Sequence, residues 1–322
     1  MTSAPEPESP PSHALVFPGQ GSQRAGMARD FHDQFSVARN VFAEASAAVD
    51  LDLAAICFGE DERLNLTEFT QPCILAAEIA MLRVLRAELG LDGHFFGGHS
   101  LGEYTALVAA GVLDLSEAVR LVRRRGALMQ EAVRPGEGAM LAVIGEGLDL
   151  EILRARIAGL EVDAANHNSP SQIVVSGRAG DVMKARERLE SDGRRCVVLN
   201  VSAPFHSRFM REVEASFASA LAGIALRPEN APRVASNFTG GFHPADADVI
   251  RTNLVRQISG TVRWLDNMRA LATGAKRVVE VGPGRPLSGF FREIGVSAVS
   301  ILNLKGAEKA RRELGGSQEQ AK

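Results

Sequence analysis

Gly93-His94-Phe95-Phe96-Gly97-Gly98-His99-Ser100-Leu101-Gly102-Glu103-Tyr104-Thr105-Ala106-Leu107-Val108-Ala109-Ala110-Gly111 carries three signals in succession: a short apolar run, a serine between glycines, and a helix-forming segment. The run over 93–97 reads as a strand, and Glu103 to Ala110 as a helix that Gly111 stops. Between them, Gly98-His99-Ser100-Leu101-Gly102 fits the G-x-S-x-G pattern of a nucleophile elbow. With no Cβ at Gly98 and Gly102, the chain can turn sharply enough to hold Ser100 in a strained conformation, hydroxyl outward, at the carboxyl edge of a sheet. The helix that follows points backbone N–H groups at any anion forming there. A serine that merely caps a helix is the alternative reading; the strand-turn-helix context favours chemistry.

On the N-terminal side, His13 to Phe17 is an apolar run closed by Pro18-Gly19-Gln20-Gly21, the pattern of a buried strand ending in a tight loop. Helical periodicity follows over 28–49 and again from Pro72 to Leu89, where Ile74, Ala77, Ile79, Leu82 and Leu85 share a face. On the C-terminal side, a helix near 209–226, a strand at 233–237 and a strand at 277–281 ending in Gly282-Pro283-Gly284 are expected. Strands alternating with helices predict an α/β fold with a mostly parallel sheet. The middle of the chain differs. Strand 139–145, helix 149–159, strands 162–166 and 172–177, helix 181–191 and strand 195–201 give the order βαββαβ of a ferredoxin-like unit, read as an inserted small subdomain over 139–205. Residues 13–138 and 206–305 then form the large domain. The Pro- and Glu-rich segment 1–12 is expected to be a flexible extension, and 306–322 a polar tail without an apolar stripe.

The 322 residues suffice for a large domain with an insert. A hydrophobic share of 45%, a charged share of 23% and a net charge of -3 describe a globular protein with no electrostatic pull toward nucleic acid or an anionic membrane. No stretch reaches about 18 uninterrupted apolar residues, and no secretory leader opens the chain. Cys57, Cys73 and Cys196 are far apart and lack metal spacing, so they read as reduced residues of a cytoplasmic protein without a zinc site.

A serine needs a base. Of seven histidines, His206 follows a strand at the junction where the insert rejoins the large domain, and clefts between domains are where substrates bind. His243, in Gly241-Phe242-His243-Pro244, is its rival. No acidic residue is marked as a third triad member; a backbone or amide oxygen can orient an imidazole instead. One arginine stands out by geometry. On a helix starting from a D-x-x-E cap at Asp114 and Glu117, Ala118, Val119, Leu121, Val122, Leu128 and Met129 form an apolar arc, and Arg125 falls near its centre. A guanidinium there calls for an anionic partner, either a buried carboxylate of the protein or one of a substrate. The Gly19-Gln20-Gly21 and Gly282-Pro283-Gly284 loops match no nucleotide-phosphate fingerprint. Gln20 either donates its amide toward an oxyanion or caps its turn.

Taken together these segments resemble the malonyl-CoA:acyl carrier protein transacylases, the acyltransferase family of fatty acid and polyketide synthesis. The motifs run along almost the whole chain in the family's order: Phe17-Pro18-Gly19-Gln20-Gly21-Ser22-Gln23, Thr70-Gln71-Pro72, Gly98-His99-Ser100-Leu101-Gly102-Glu103, Arg125-Gly126 with Met129-Gln130, Asn168-Ser169-Pro170, Phe205-His206-Ser207, Leu254-Val255-Arg256-Gln257 and Glu280-Val281-Gly282-Pro283-Gly284. The resemblance implies an α/β-hydrolase-like large domain with the ferredoxin-like insert. It implies that Ser100 takes the acyl group and His206 is its base, that Gln20 and the backbone N–H of Leu101 form the oxyanion hole, and that Arg125 pairs with the malonyl carboxylate. Gln257 then supports His206, largely through its main-chain carbonyl, with Gln71 and Asn168 as further supporting residues. Phe205 and Leu101 resemble the malonyl-selective members, although Ala203-Pro204-Phe205-His206 departs from the His-Ala-Phe-His signature of many polyketide synthase domains.

On this reading the partners are malonyl-CoA and a holo acyl carrier protein, with no nucleic acid or membrane. The chain acts as a monomer, and no cofactor is needed beyond the 4'-phosphopantetheine its substrates carry. Exposed arginines such as Arg208 are candidates for meeting an acidic carrier. Two other functions fit parts of the pattern: a thioesterase of the same fold, which would have no need of Arg125, and a noncatalytic carrier-docking subunit, which would have no need of the intact constellation.

Overall fold

A computed structural model describes residues 13–201 and 203–315; the expected flexible extension at 1–12 and the end of the chain at 316–322 lie outside the described residues. The elements run β1 (His13–Phe17), α1 (Arg29–Gln34), α2 (Ser36–Val49), α3 (Leu53–Phe58), α4 (Thr67–Leu89), β2 (Phe95–Gly98), α5 (Gly102–Ala109), α6 (Leu115–Glu131), β3 (Gly138–Ile144), α7 (Leu150–Arg156), β4 (Val162–Ser169), β5 (Gln172–Arg178), α8 (Ala179–Ser191), β6 (Arg195–Val198), α9 (Arg211–Ala222), α10 (Ala247–Gln257), α11 (Trp264–Gly274), β7 (Arg277–Val281), α12 (Pro286–Glu293), β8 (Ala298–Ile301) and α13 (Leu304–Gly315).

β2, β1, β7 and β8 lie side by side in that order, and every pairing is parallel. Because helices cover both faces, the central strands read as continuous apolar runs. Leu15 and Phe17 of β1 face the larger core with α2, α4 and α6, while Ala14 and Val16 face a second core with Trp264, Met268, Leu287 and Phe291. A side chain at Gly97 would strike Leu271 of α11, so the absence of one lets that helix close on β2.

β4, β5, β3 and β6 form a separate antiparallel sheet. The βαββαβ order with this strand arrangement is the ferredoxin-like topology. Strand alternation divides its two faces. Leu141, Val143, Ile173 and Val175 pack under α7 and α8 in a small core of their own, whereas Met140, Ala142 and Val174 face the larger domain. β4 is fastened to the large domain by backbone bonds between Val262 and both Ala165 and His167.

The structure departs from the sequence reading in four places. The helix expected over 28–49 breaks at Phe35. The strand expected at 233–237 is reduced to single bridges from Val234 to Phe96 and from Ala235 to Phe242, because Pro228–Arg233 is a 3-10 turn and the chain leaves the sheet at Ser236. Asp114 stands at the N-cap of α6, but its side chain makes no capping bond there; its carboxylate lies 2.8 Å from the Arg227 guanidinium. The segment expected to be a polar tail from 306 is instead helical as far as Gly315, and it buries Ala307 and Ala310.

Candidate active site

The carboxyl ends of β1, β2 and β7 converge on one edge of the parallel sheet, where α/β folds bind ligands. There the chain turns between β2 and α5 with Ser100 at φ 52°, in the left-handed region that a residue with a side chain occupies only under constraint. The flanking glycines explain how. A Cβ on Gly98 would lie 2.0 Å from the backbone of Gly102, and one on Gly102 would lie 2.1 Å from the Phe17 carbonyl oxygen. The backbone N–H of Ser100 is committed to Asn237 Oδ1 at 2.6 Å.

His206 stands opposite, also in the left-handed region at φ 56° and buried. Its Nε2 lies 2.7 Å from Ser100 Oγ, and its Nδ1 lies 2.8 Å from the main-chain oxygen of Gln257. A carbonyl oxygen can only accept, so Nδ1 carries the proton and Nε2 presents its lone pair to the serine hydroxyl. Burial, reinforced by the Arg125 charge, holds the imidazole's pKa down at about 3. The ring is therefore neutral and able to accept a proton at ordinary pH.

Arg125 projects from α6 into the site and is 1% exposed. Nη1 donates to Gln71 Oε1 at 2.9 Å, while Nη2 donates to Gln257 Oε1 at 2.9 Å and to Ser100 Oγ at 3.1 Å. Its plane sits over the Tyr104 ring, 5.3 Å from the centroid. All three hydrogen-bond acceptors are neutral, and Nε has no partner among the described residues. This is a buried cation without a carboxylate in contact, an arrangement that ordinarily requires an anion to complete it.

Gln20 turns its side-chain amide away, to Thr67 Oγ1 at 3.1 Å. Among the described residues its backbone N–H and that of Leu101 donate to no protein acceptor, and both residues line the same cleft as Ser100. Phe205 and Asn168 line the cleft above the serine; Asn168 Oδ1 lies 2.7 Å from His99 Nε2, joining the elbow to β4. The cleft has a volume of about 650 Å³ and runs between the elbow and the cleft-facing side of the small sheet, with Met140, Ala142, Val174 and Leu199 as its apolar wall. It brings together Ser100, His206, Arg125, Gln20, Leu101, Gln71, Phe205 and Asn168, and Gln257 lies behind them.

The rival His243 is buried well below the serine, its Nε2 2.8 Å from Glu103 Oε1. Arg208 is held by Asp163 at 2.6 Å and is not a free surface charge. Of the cleft-lining residues Arg195 on β6 is exposed, and the exposed Arg285 adjoins the lining residue Pro286 in the chain. Sequence reasoning passed over Asn237, Glu103 and the Gln257 side chain as members of this site. Nothing local marks Asn237, whereas Glu103 stood directly after the elbow as the one carboxylate of its helix. Among the described residues, no cluster of His, Cys, Asp and Glu could hold a metal ion, and no helix is long and apolar enough to cross a membrane.

Comparison with known proteins gives a consistent answer. The profile of the acyl transferase domain family matches residues 14–288. The malonyl CoA-acyl carrier protein transacylase of Escherichia coli K12 is 40% identical over 308 residues, covering 94% of this chain and 99% of the relative. The crystal structure of FabD from Acinetobacter baumannii superposes with a TM-score of 0.89 at 38% identity, covering 96% of this chain and all of that one. A malonyl-transacylase solved in complex with a type II polyketide synthase acyl-carrier protein superposes with a TM-score of 0.87 at 37% identity, covering 94% and 99%.

Proposed function

This chain belongs to the malonyl CoA-acyl carrier protein transacylase family of acyl transferases, and from that premise we propose how its residues carry the reaction. The enzyme transfers a malonyl group from malonyl-CoA to an acyl carrier protein. Ser100 Oγ attacks the thioester carbonyl while its proton passes to His206 Nε2. The oxyanion is met by the backbone N–H groups of Gln20 and Leu101. As the tetrahedral adduct collapses, the C–S bond breaks and CoA leaves with the proton from His206. The malonyl-serine ester is then attacked by the phosphopantetheine thiol of the carrier, which gives its proton to His206, and Ser100 recovers that proton as the thioester forms.

The observation that carries this reading is Arg125, a buried guanidinium 3.1 Å from the serine oxygen whose hydrogen-bond acceptors are all neutral. A malonyl group seated on Ser100 would place its free carboxylate within reach of that cation, which holds the ester in one orientation. Gln71 and Gln257 brace the guanidinium, and the Gln257 carbonyl keeps His206 in its base tautomer. Asn168 steadies the elbow through His99. Phe205 narrows the cleft beside the base, where a 2-methyl branch would sit; crowding there is worth about 1–3 kcal/mol of discrimination.

Residues 13–138 and 206–305 act as the catalytic unit and 139–205 as the opposing wall. All the groups come from one chain, which suits a monomer, and the only prosthetic arm required is the phosphopantetheine of the substrates. We place the reaction in the cytoplasm, where CoA thioesters circulate. Arg195 and Arg285 are the cations offered to an acidic carrier as it presents its arm. Malonyl-CoA supplied with and without holo carrier tests the function: CoA release beyond one equivalent that depends on the carrier is expected, and fast release without it would instead indicate a thioesterase. Ser100→Ala should abolish both the release and the malonyl-enzyme seen by mass spectrometry.

A further inference from the structure

We propose that Glu103 is a positioning residue that acts as the counter-charge of Arg125 from one amide away, with the Gln257 side chain as the spacer that keeps the two ions apart. The inference rests on the reading of Arg125 as the clamp for the malonyl carboxylate.

Glu103 follows the elbow on α5 and is fully buried. Its Oε2 accepts from Gln257 Nε2 at 2.7 Å and from the backbone N–H of Asn237 at 3.1 Å. Its Oε1 accepts from His243 Nε2 at 2.8 Å. The far side of His243 meets Asn253 Nδ2 at 3.4 Å, on the same helix as Gln257.

Gln257 therefore offers its NH2 to the carboxylate and its oxygen to the guanidinium, at 2.7 and 2.9 Å. The same NH2 also donates to the Ser100 carbonyl at 2.9 Å. Asn237, held by Glu103 through its backbone, takes the Ser100 N–H with its side chain. One carboxylate thus reaches the nucleophile's backbone on both sides, the orienter of the base and the clamp. A direct ion pair between Glu103 and Arg125 would neutralise the cation and leave nothing for a substrate anion. The amide between them keeps a compensating charge near the guanidinium while leaving its hydrogen-bonding edge to neutral acceptors that a carboxylate can displace.

Two isosteric changes separate this from a purely structural role. Inhibition by free malonate reports the clamp, and kcat with malonyl-CoA and acetyl-CoA reports the alignment. Glu103→Gln should lower kcat for both substrates at least tenfold while malonate binds as well as before or several-fold tighter, since its internal competitor is gone. Gln257→Met retains the carbonyl that orients His206 but removes the spacer. It should weaken malonate at least tenfold and lower malonyl transfer at least tenfold more than acetyl transfer. Malonate affinity falling in step with kcat in Glu103→Gln, or unchanged in Gln257→Met, would overturn the proposal; should Glu103→Gln not fold, the second variant decides alone. Arg125→Ala serves as the control. If it leaves malonate inhibition unaltered, the clamp reading itself fails and this inference with it, whereas a failure confined to the other two variants removes only the role of Glu103.

Discussion

Replacing Arg125 by Ala should cut malonyl transfer far more than acetyl transfer, and the structure sets the size of the difference. The guanidinium is 1% exposed, so a malonyl carboxylate seated without it would be a buried charge without a partner. Breaking such a pair costs about 3–5 kcal/mol. At about 1.36 kcal/mol per decade this is roughly two to nearly four orders of magnitude in kcat/KM. The bond from Nη2 to Ser100 Oγ is lost with either substrate. Acetyl transfer therefore also falls, by about the 1.5–3 kcal/mol of a hydrogen bond to a charged group at most. That loss is common to both and cancels in the ratio, which isolates the carboxylate. The assay is initial CoA release at subsaturating malonyl-CoA and acetyl-CoA with saturating holo carrier. A malonyl-to-acetyl ratio shifted by less than about threefold would refute the clamp, whatever the absolute rates.

Three further outcomes follow from the same geometry. Gln71→Glu places a carboxylate where Arg125 Nη1 now meets a neutral oxygen at 2.9 Å; KM for malonyl-CoA should rise about ten- to a hundredfold with acetyl-CoA little affected, and parallel changes in both KM values would contradict it. Gly102→Ala forces a methyl to within 2.1 Å of a backbone carbonyl that cannot yield; a loss of at least about 3 kcal/mol in urea unfolding is expected, and parent-like stability would show that the elbow relaxes. His206 has a pKa of about 3 in the fold against 6.5 ordinarily. Between those values the unfolded chain binds the extra proton, so this group's contribution to stability falls as pH drops from 6.5 toward 3, by up to about 1.4 kcal/mol per unit. Unfolding free energies at pH 4.5 and 7 should diverge less in His206→Gln than in the parent, and equal divergence would count against a buried neutral imidazole.

What the sequence disclosed of this site was whatever rested on local geometry. Gly98 and Gly102 announce the elbow because no other residue permits the approach of their backbones, and the helical period turned Arg125 inward. The βαββαβ order showed in the spacing of apolar runs. Contacts made across the fold were hidden. Asp114 and Glu117 have the spacing of a cap, yet Asp114 answers to Arg227, distant in the chain. Val234 and Ala235 look like strand residues but touch the sheet at single points. Ala307 and Ala310 are too small to draw an apolar stripe, although they are enough to seat α13. Gln20 shows the same limit: the loop was marked, but that its side-chain amide would bond Thr67 depends on α4. His206 was separated from His243 only by its place at the junction of the two units, and the burial of His243 against Glu103 removes the ambiguity.

The small antiparallel sheet has its own interior under α7 and α8, and its tether to the parallel-sheet half includes the seam of β4 with Val262 and the His99–Asn168 contact. The wall over the serine is therefore a cassette. Its cleft-facing positions, Met140, Ala142 and Val174, can be enlarged or pared back without touching the residues that perform the chemistry. We expect changes at these three positions to alter the breadth of acyl acceptance while Ser100, His206 and Arg125 stay in place.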